Sequence, residues 1–253
     1  MKLLSWAVLS VLVAGAPSSA LAAIVLAYDD AADAAYNSGW AAGSNGGFGF
    51  GAWFHSPFGI LFAMGDSNLN GSLGGPGINI GGRAWEAAHQ PSAAGAVAGR
   101  PLGGYSVGDS FEIDVDFGST PSQGVAILDG VDFCQVEASA NSPNLVINYN
   151  SGSVVTSMAY NDGGYRVRFD RISMGSLDVT ITSFSSSLSA NYILPFAPSP
   201  GTLIMTLQSE NPVSGQSIFA SRMQVMRPVP EPSSIVLLGF SMFAIRQRGL
   251  RPI

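Results

Sequence analysis

Charge is scarce in this chain. Only 11% of its 253 residues are Asp, Glu, Lys or Arg, and 17 acidic against 11 basic side chains leave a formal net charge of −6. So few cations supply no stripe for phosphates, and the acidic balance repels nucleic acid at long range, which excludes nucleic-acid binding. Cysteine is nearly absent as well. Cys134 stands alone, ruling out an intramolecular disulfide and a thiolate metal cluster, and its apolar neighbours in VDFCQV mark it as an inert buried thiol. The two histidines, His55 and His89, are too few and too separated for a readable zinc motif. No nucleophile signature near them suggests a triad, so both read as structural or surface residues. Long amphipathic helices are missing, since the alanine-rich stretch 87–98 is interrupted by Pro91 and Gly95, and there is no internal repeat of fixed period. Stability must come from an apolar core, which a body of about 200 residues is long enough to bury.

What the sequence does contain is clearest at its two ends. Lys2, the apolar stretch 3–13 and the small-x-small site Ala20, Leu21, Ala22 form a secretory signal over residues 1–22. Export follows from it. At the other end, VPEPSSIVLLGFSMFAIRQRGLR places Pro230 and Pro232 around Glu231, where regular helix is forbidden. A mostly apolar, helix-competent run follows at 233–245, and Arg246, Arg248 and Arg251 close it with positive charge. At about 1.5 Å per residue the run spans roughly 20 Å, short of a hydrocarbon core of roughly 30 Å. It engages a bilayer if the arginines snorkel or the membrane thins. The positive-inside bias then keeps the arginines cytoplasmic and the body of the protein outside.

This order of Pro-Glu-Pro, short apolar helix and arginine cluster resembles the PEP-CTERM sorting signal of exported bacterial proteins, over residues 229–251. The resemblance implies recognition and removal of the tail by a membrane enzyme, exosortase, in bacteria that make exopolysaccharide. Position by position it implies that Val229, Pro230, Glu231 and Pro232 form the recognition element, the apolar run a transient membrane anchor, and Arg246 and Arg248 the stop signal. Gln247 and Gly249 interrupt the arginines, a looser cluster than is usual in that family.

Between the ends, residues 23–226 show period-two patterning broken by turn residues. FEIDVDF (111–117), NLVINY (144–149), YRVRF (165–169), LDVTITSF (177–184) and TLIMTL (202–207) read as strands. NDGG (161–164), GGPG (74–77) and NSPN (141–144) read as turns. Many short strands with frequent turns predict one all-β domain, an antiparallel β-sandwich or jelly roll. An N-terminal signal helix and a C-terminal sorting segment (227–253), which carries a short hydrophobic transmembrane helix, flank it. The body also resembles a recurring kind of PEP-CTERM protein through Tyr28 to Asp30, Gly39 and Trp40, GSNGG (43–47), GFGAW (49–53), AVAGRPL, YSVGDSFEIDVDFG and NDGGYRVRF. That likeness implies a concanavalin-like sandwich and no particular chemistry.

Four candidate chemistries remain, each with a plainer alternative. GSNGGFGFGAWF is dense in glycine, but a phosphate cradle needs a helix N-terminus after the turn, and here aromatic residues and Pro57 follow. A turn at Asn45, Gly46 and Gly47 is expected instead, then a strand in which Phe48, Phe50 and Trp53 pack. Trp40, Trp53 and Trp85 are candidate stacking platforms for sugar rings, against the commoner role of core packing. Glu112, Asp114 and Asp116 share one face of a strand, and FEIDVDF resembles the Glu-Ile-Asp-x-Glu strand of glycoside hydrolase family 16. There the resemblance implies Glu112 as nucleophile, Asp114 as helper and Asp116 at the acid/base position, where the family has Glu. Retaining hydrolysis sets its carboxyls about 5–5.5 Å apart, whereas Cα atoms four residues apart on a regular strand lie roughly 13 Å apart. A strand with its polar face in water is the expectation. Asp29, Asp30, Asp33, Asp109, Asp129, Asp132 and Asp162 are oxygen donors of the kind calcium takes, but none has EF-hand spacing and turn aspartates usually serve the backbone.

The sequence therefore predicts an exported, non-enzymatic protein of the cell envelope or extracellular matrix, with no catalytic residue, metal or cofactor assigned. Exosortase, the membrane before processing, and exopolysaccharide are its expected partners. A carbohydrate-binding module and a family 16-like hydrolase are the alternatives.

Overall fold

The computed structural model describes residues 22–56, 60–69, 77–89, 96–118, 123–129, 132–139, 141–161, 163–195, 204–209 and 217–229. The expected signal helix and C-terminal helix, with Pro230, Glu231, Pro232, Arg246 and Arg248, lie outside these residues. Among the described residues no helix is long and apolar enough to cross a membrane. Ile24–Pro228 form one compact unit.

That unit is all-β and built from two sheets. The chain order is β1 (Ala23–Asp30), β2 (Phe54–His55), β3 (Ile60–Gly65), β4 (Ala84–His89), β5 (Ala96–Pro101), β6 (Ser110–Phe117), β7 (Gln123–Asp129) and β8 (Asp132–Ala138). Then come β9 (Asn144–Tyr149), β10 (Gly152–Ala159), β11 (Tyr165–Ser173), β12 (Ser176–Ser183), β13 (Ser189–Leu194), β14 (Ile204–Ser209) and β15 (Ser217–Pro228). One sheet runs β13-β12-β11-β6-β15-β4-β3, with β1 also beside β15; the other runs β10-β9-β8-β7-β14-β5-β2. Along both paths the neighbours are antiparallel.

Alternation explains the core. Phe111, Ile113, Val115 and Phe117 of β6, Val167 and Phe169 of β11, and Val179 and Ile181 of β12 all project from the first sheet into one buried cluster. Val125 and Ile127 of β7, Val136 of β8 and Ile147 of β9 meet them from the second. Cys134 is buried there too, and burial pushes its thiol up to about 12, as an unreactive thiol requires.

β15 departs from strict alternation, and the departure matters. Ile218 and Ala220 face the core opposite Phe117 and Val115; beyond Ser221 the core-facing residues are Met223 and Val225. The register slips by one residue between Ala220 and Arg222, the signature of a β-bulge. Ser221 is the extra residue, and its carbonyl accepts the Ala31 N–H at 2.8 Å. Without the bulge Arg222 would point into the core; with it, Arg222 stands on the outer face opposite Asp114.

The glycine-rich segment after β1 is not the strand its aromatics suggest. It touches β1 through a single bridge, with Tyr28 N–H to Phe48 O at 3.0 Å and Phe48 N–H to Tyr28 O at 2.9 Å. Phe50 and Trp53 are buried, whereas Phe48 is exposed. Gly47 sits at φ +66°, and a Cβ there would lie 1.9 Å from Tyr28 O. Only glycine lets the backbones approach this closely.

Candidate functional site

The three tryptophans nominated as sugar platforms are inside the molecule. Trp40, Trp53 and Trp85 are all buried, and their rings pack on one another at centroid separations of 4.8 Å (Trp40–Trp53), 5.3 Å (Trp53–Trp85) and 6.5 Å (Trp40–Trp85). Their faces are spent on each other, on Tyr36 and on Phe62, so the stacking expectation is corrected to core packing. His55 stacks on Phe62 at 3.9 Å, and burial lowers its pKa to about 4, so it stays neutral.

Beside this cluster lies a sealed ion pair. Asp29 and Arg100 pair with both side chains fully buried. The Tyr36 hydroxyl donates to Asp29 Oδ2, and Trp53 Nε1 and the Gly46 N–H donate to that hydroxyl oxygen, each at 3.1 Å. Arg100 also donates to Gly51 O at 2.8 Å and to Asn45 Oδ1 at 2.7 Å, beneath the rings of Phe50 and Trp53. Burial lifts Asp29 to about 6, opposed by its bonds from Tyr36 and Arg100. The motif pieces around Asp29, Gly46, Trp53 and Arg100 thus meet in one structural network with no opening to solvent.

The other acid–arginine cluster is on the outer face of the first sheet. The sequence placed Glu112, Asp114 and Asp116 on one face, and they share it. That face was expected in water, yet all three carboxylates are buried, because long side chains from the neighbouring strands lie over them. Arg166 on β11 donates through Nε to Asp114 Oδ1 at 2.8 Å and through Nη2 to Oδ2 at 3.2 Å, and its Nε is 3.2 Å from Glu112 Oε1. Arg222 Nη2 approaches Asp114 Oδ2 at 3.1 Å and Glu112 Oε1 at 3.5 Å. Gln224 donates to Glu112 Oε1 at 2.9 Å. Burial raises Asp114 to about 6; Arg166 opposes the shift and the charge of Glu112 adds to it.

These groups form the middle of a wider polar grid. Cross-strand register gives one row Ser189, Thr182, Arg166, Asp114, Arg222 and the next Asn191, Thr180, Arg168, Glu112, Gln224. Five strands span roughly 19 Å at about 4.8 Å per spacing. Arg166 keeps 35% of its side chain exposed and Arg222 26%, and Arg166 also lies 5.5 Å from the centroid of the half-exposed Phe184 ring. Asp116, at the acid/base position of the hydrolase resemblance, is fully buried. Sequence reading found the carboxylates but neither arginine; the alternation of YRVRF was the signal for Arg166, whereas the bulge at Ser221 hid Arg222.

The aspartates considered for calcium serve local structure. Asp33 accepts the Ala35 N–H at 2.8 Å and the Gly47 N–H at 3.0 Å. Asp30 accepts from the Tyr28 hydroxyl and the Ala32 N–H, both at 2.8 Å. Asp109 accepts the Ser106 N–H and two bonds from Arg227, and Asp132 accepts from Asn150. Among the described residues no three His, Cys, Asp or Glu side chains are grouped to hold a metal ion. Asp162 lies outside the described residues. Asp129 and His89 end β7 and β4.

No protein-family model matches the chain, and no curated protein matches it. Among solved structures it is similar to a carbohydrate esterase, vb_24B_21, from the Shiga toxin-encoding bacteriophage phi24B, at 12% identity and a TM-score of 0.47, covering 70% of this chain and 90% of that one. It is also similar to the CBM2 module of the evolved Dit of Lactobacillus casei BL23 phage J-1 (12% identity, TM-score 0.44, 70% and 96% covered). A third is the Caenorhabditis elegans galectin LEC-6 (14%, 0.36, 50% and 88%). Likeness of this size carries no conclusion about what this chain does.

Proposed function

We propose that this chain is an exported, non-enzymatic β-sandwich, concanavalin-like in type, that works at the cell envelope or in the extracellular matrix and binds polysaccharide through the polar outer face of its first sheet. The observation that carries the reading is the Glu112–Asp114–Arg166–Arg222 array with its flanking hydroxyls and amides. A sugar hydroxyl both donates and accepts, and here the partly exposed guanidiniums of Arg166 and Arg222 share a face with the hydroxyls and amide of Thr180, Thr182, Ser189 and Asn191. Hydrolysis is less well served. Glu112 is held by Gln224 and by two arginines, which lowers its reactivity as a nucleophile, and Asp116 has no exposed surface with which to meet a glycosidic oxygen.

Delivery rests on the two ends of the sequence. The secretory signal starts export, and the Pro-Glu-Pro segment with its apolar run and arginines holds the chain in the membrane until exosortase removes the tail. Deleting everything after Val229 leaves β15 whole and is expected to move the protein from the membrane fraction to the medium; an unchanged distribution would remove the tail from the account. For the body, a soluble β-glucan and the secreted polysaccharide of the producing cells are the probes. Retention without release of reducing ends is expected, whereas hydrolysis abolished by Glu112→Gln would replace the binding reading with the enzymatic one.

A further inference from the structure

Two long runs of the sequence, residues 138–161 and 179–209, contain no Asp, Glu, Lys or Arg. They include both outermost strands on one flank of the sandwich, β10 of the second sheet and β13 of the first. The two lie side by side, since the Ser157 N–H of β10 donates to the Tyr192 hydroxyl of β13 at 2.7 Å. An edge strand offers unpaired N–H and C=O groups to any other strand, and proteins ordinarily blunt such edges with charge, proline or a bulge. β10 is blunted. Its register with β9 breaks between Val155 and Ala159, the Asn144 side chain takes the Thr156 carbonyl, and Tyr192 takes the Ser157 N–H.

β13 has none of these devices. It pairs with β12 without a break from Leu177↔Leu194 to Thr182↔Ser189, carries neither charge nor proline, and among the described residues has a strand partner on one side only. Ile193 is 68% exposed on it. Charge selects the occupant: two copies that each carry −6 repel one another over most of their surfaces, and this flank is where they can meet without opposing like charges. The nearest charge in register is Asp178 on β12, opposite Ile193. Across a joined edge the two Asp178 side chains would be separated by at least three strand spacings, roughly 14 Å, which exceeds a Debye length of about 10 Å.

We infer that β13 is a self-association edge, to which β13 of a second copy adds antiparallel about a two-fold axis, joining two first sheets into one continuous sheet. Such an isologous contact is closed, so it yields a dimer and not a fibre. The inference stands apart from the polysaccharide reading. Sedimentation equilibrium of the chain with only its secretory signal removed, in a density-matched mild detergent that holds the apolar tail, tests it across a concentration series, comparing the native protein with Ile193→Lys, Asn191→Lys and, as a control on the blunted edge, Val155→Lys. The native chain and Val155→Lys are expected to reach twice the single-chain mass. Each β13 variant should raise the dissociation constant by about tenfold or more, equivalent to at least about 1.4 kcal/mol, and match the melting temperature of the native chain at concentrations low enough that both are monomeric. A native chain of single-chain mass at every concentration, β13 variants that dimerise as the native chain does, or a Val155→Lys loss equal to theirs would overturn it.

Discussion

Asp29 and Arg100 are sealed from solvent on every side, whereas the arginines over Asp114 keep about a third and a quarter of their side chains exposed. Both clusters join an aspartate to guanidinium donors, and burial lifts both aspartates to about 6. The difference lies in what surrounds them. Asp29 and Arg100 are enclosed by Tyr36, Trp53, Phe50 and the backbone of the glycine-rich segment, so nothing can reach them and their work is to fix that segment to β1 and β5. Asp114 and Glu112 lie beneath Arg166 and Arg222, whose side chains meet solvent on the outer face of the sheet. The same chemical pair is an internal clasp where solvent is shut out, and we propose that it is a contact surface where solvent reaches its arginines.

The sharpest way to break this contrast is to remove one partner of the sealed pair. Arg100→Met leaves Asp29 buried without its counter-charge, and losing one member of a buried pair costs about 3–5 kcal/mol. Urea denaturation should show that loss. A cost below about 1 kcal/mol, which is what an exposed pair is worth, would mean that the clasp is not one.

The second test uses pH. Asp114 moves from 3.8 unfolded to about 6 folded, so between those values the folded chain binds the extra proton, and stability from this group rises as pH falls from about 7 to about 4. A shift of two units corresponds to roughly 3 kcal/mol. Asp114→Asn removes this titration. Relative to the variant, the wild type should gain denaturant resistance on acidification over that window and lose it as pH rises through 6. A difference that does not change with pH, or one of opposite sign, would place Asp114 in a more solvated setting than the geometry gives it.

A smaller effect is expected at Arg166. Its side chain is partly exposed and its removal lets water reach Asp114, so Arg166→Ala should cost less than Arg100→Met, about 1–2 kcal/mol by thermal or urea unfolding. A cost near that of Arg100→Met would erase the distinction between the clusters.

Period two made much of the first sheet legible. FEIDVDF and YRVRF alternate so cleanly that core and outer faces could be assigned from the sequence, and β6 and β11 follow that assignment. The glycine-rich segment misled because its aromatics do alternate, while the positive φ angles at Gly47 and Gly49 that keep it out of a sheet are set by contact with β1. The tryptophans illustrate a second limit: composition shows that large rings are present, but whether their faces meet solvent or one another depends on strands far apart in the chain. Asp29 and Arg100 are 71 residues apart, and Arg222 reaches Asp114 only because Ser221 adds one residue to β15. No local pattern encodes either meeting.

The central claim, that the open cluster is a contact surface, is tested most directly by measuring polysaccharide affinity of the mature chain and of its Arg166→Ala/Arg222→Ala double variant, with melting curves recorded on the same samples. The account predicts that the native chain binds and that the variant loses about tenfold or more in affinity while still unfolding cooperatively and well above the temperature of the binding assay. Equal affinity in the two proteins, or no binding by the native chain, would contradict it.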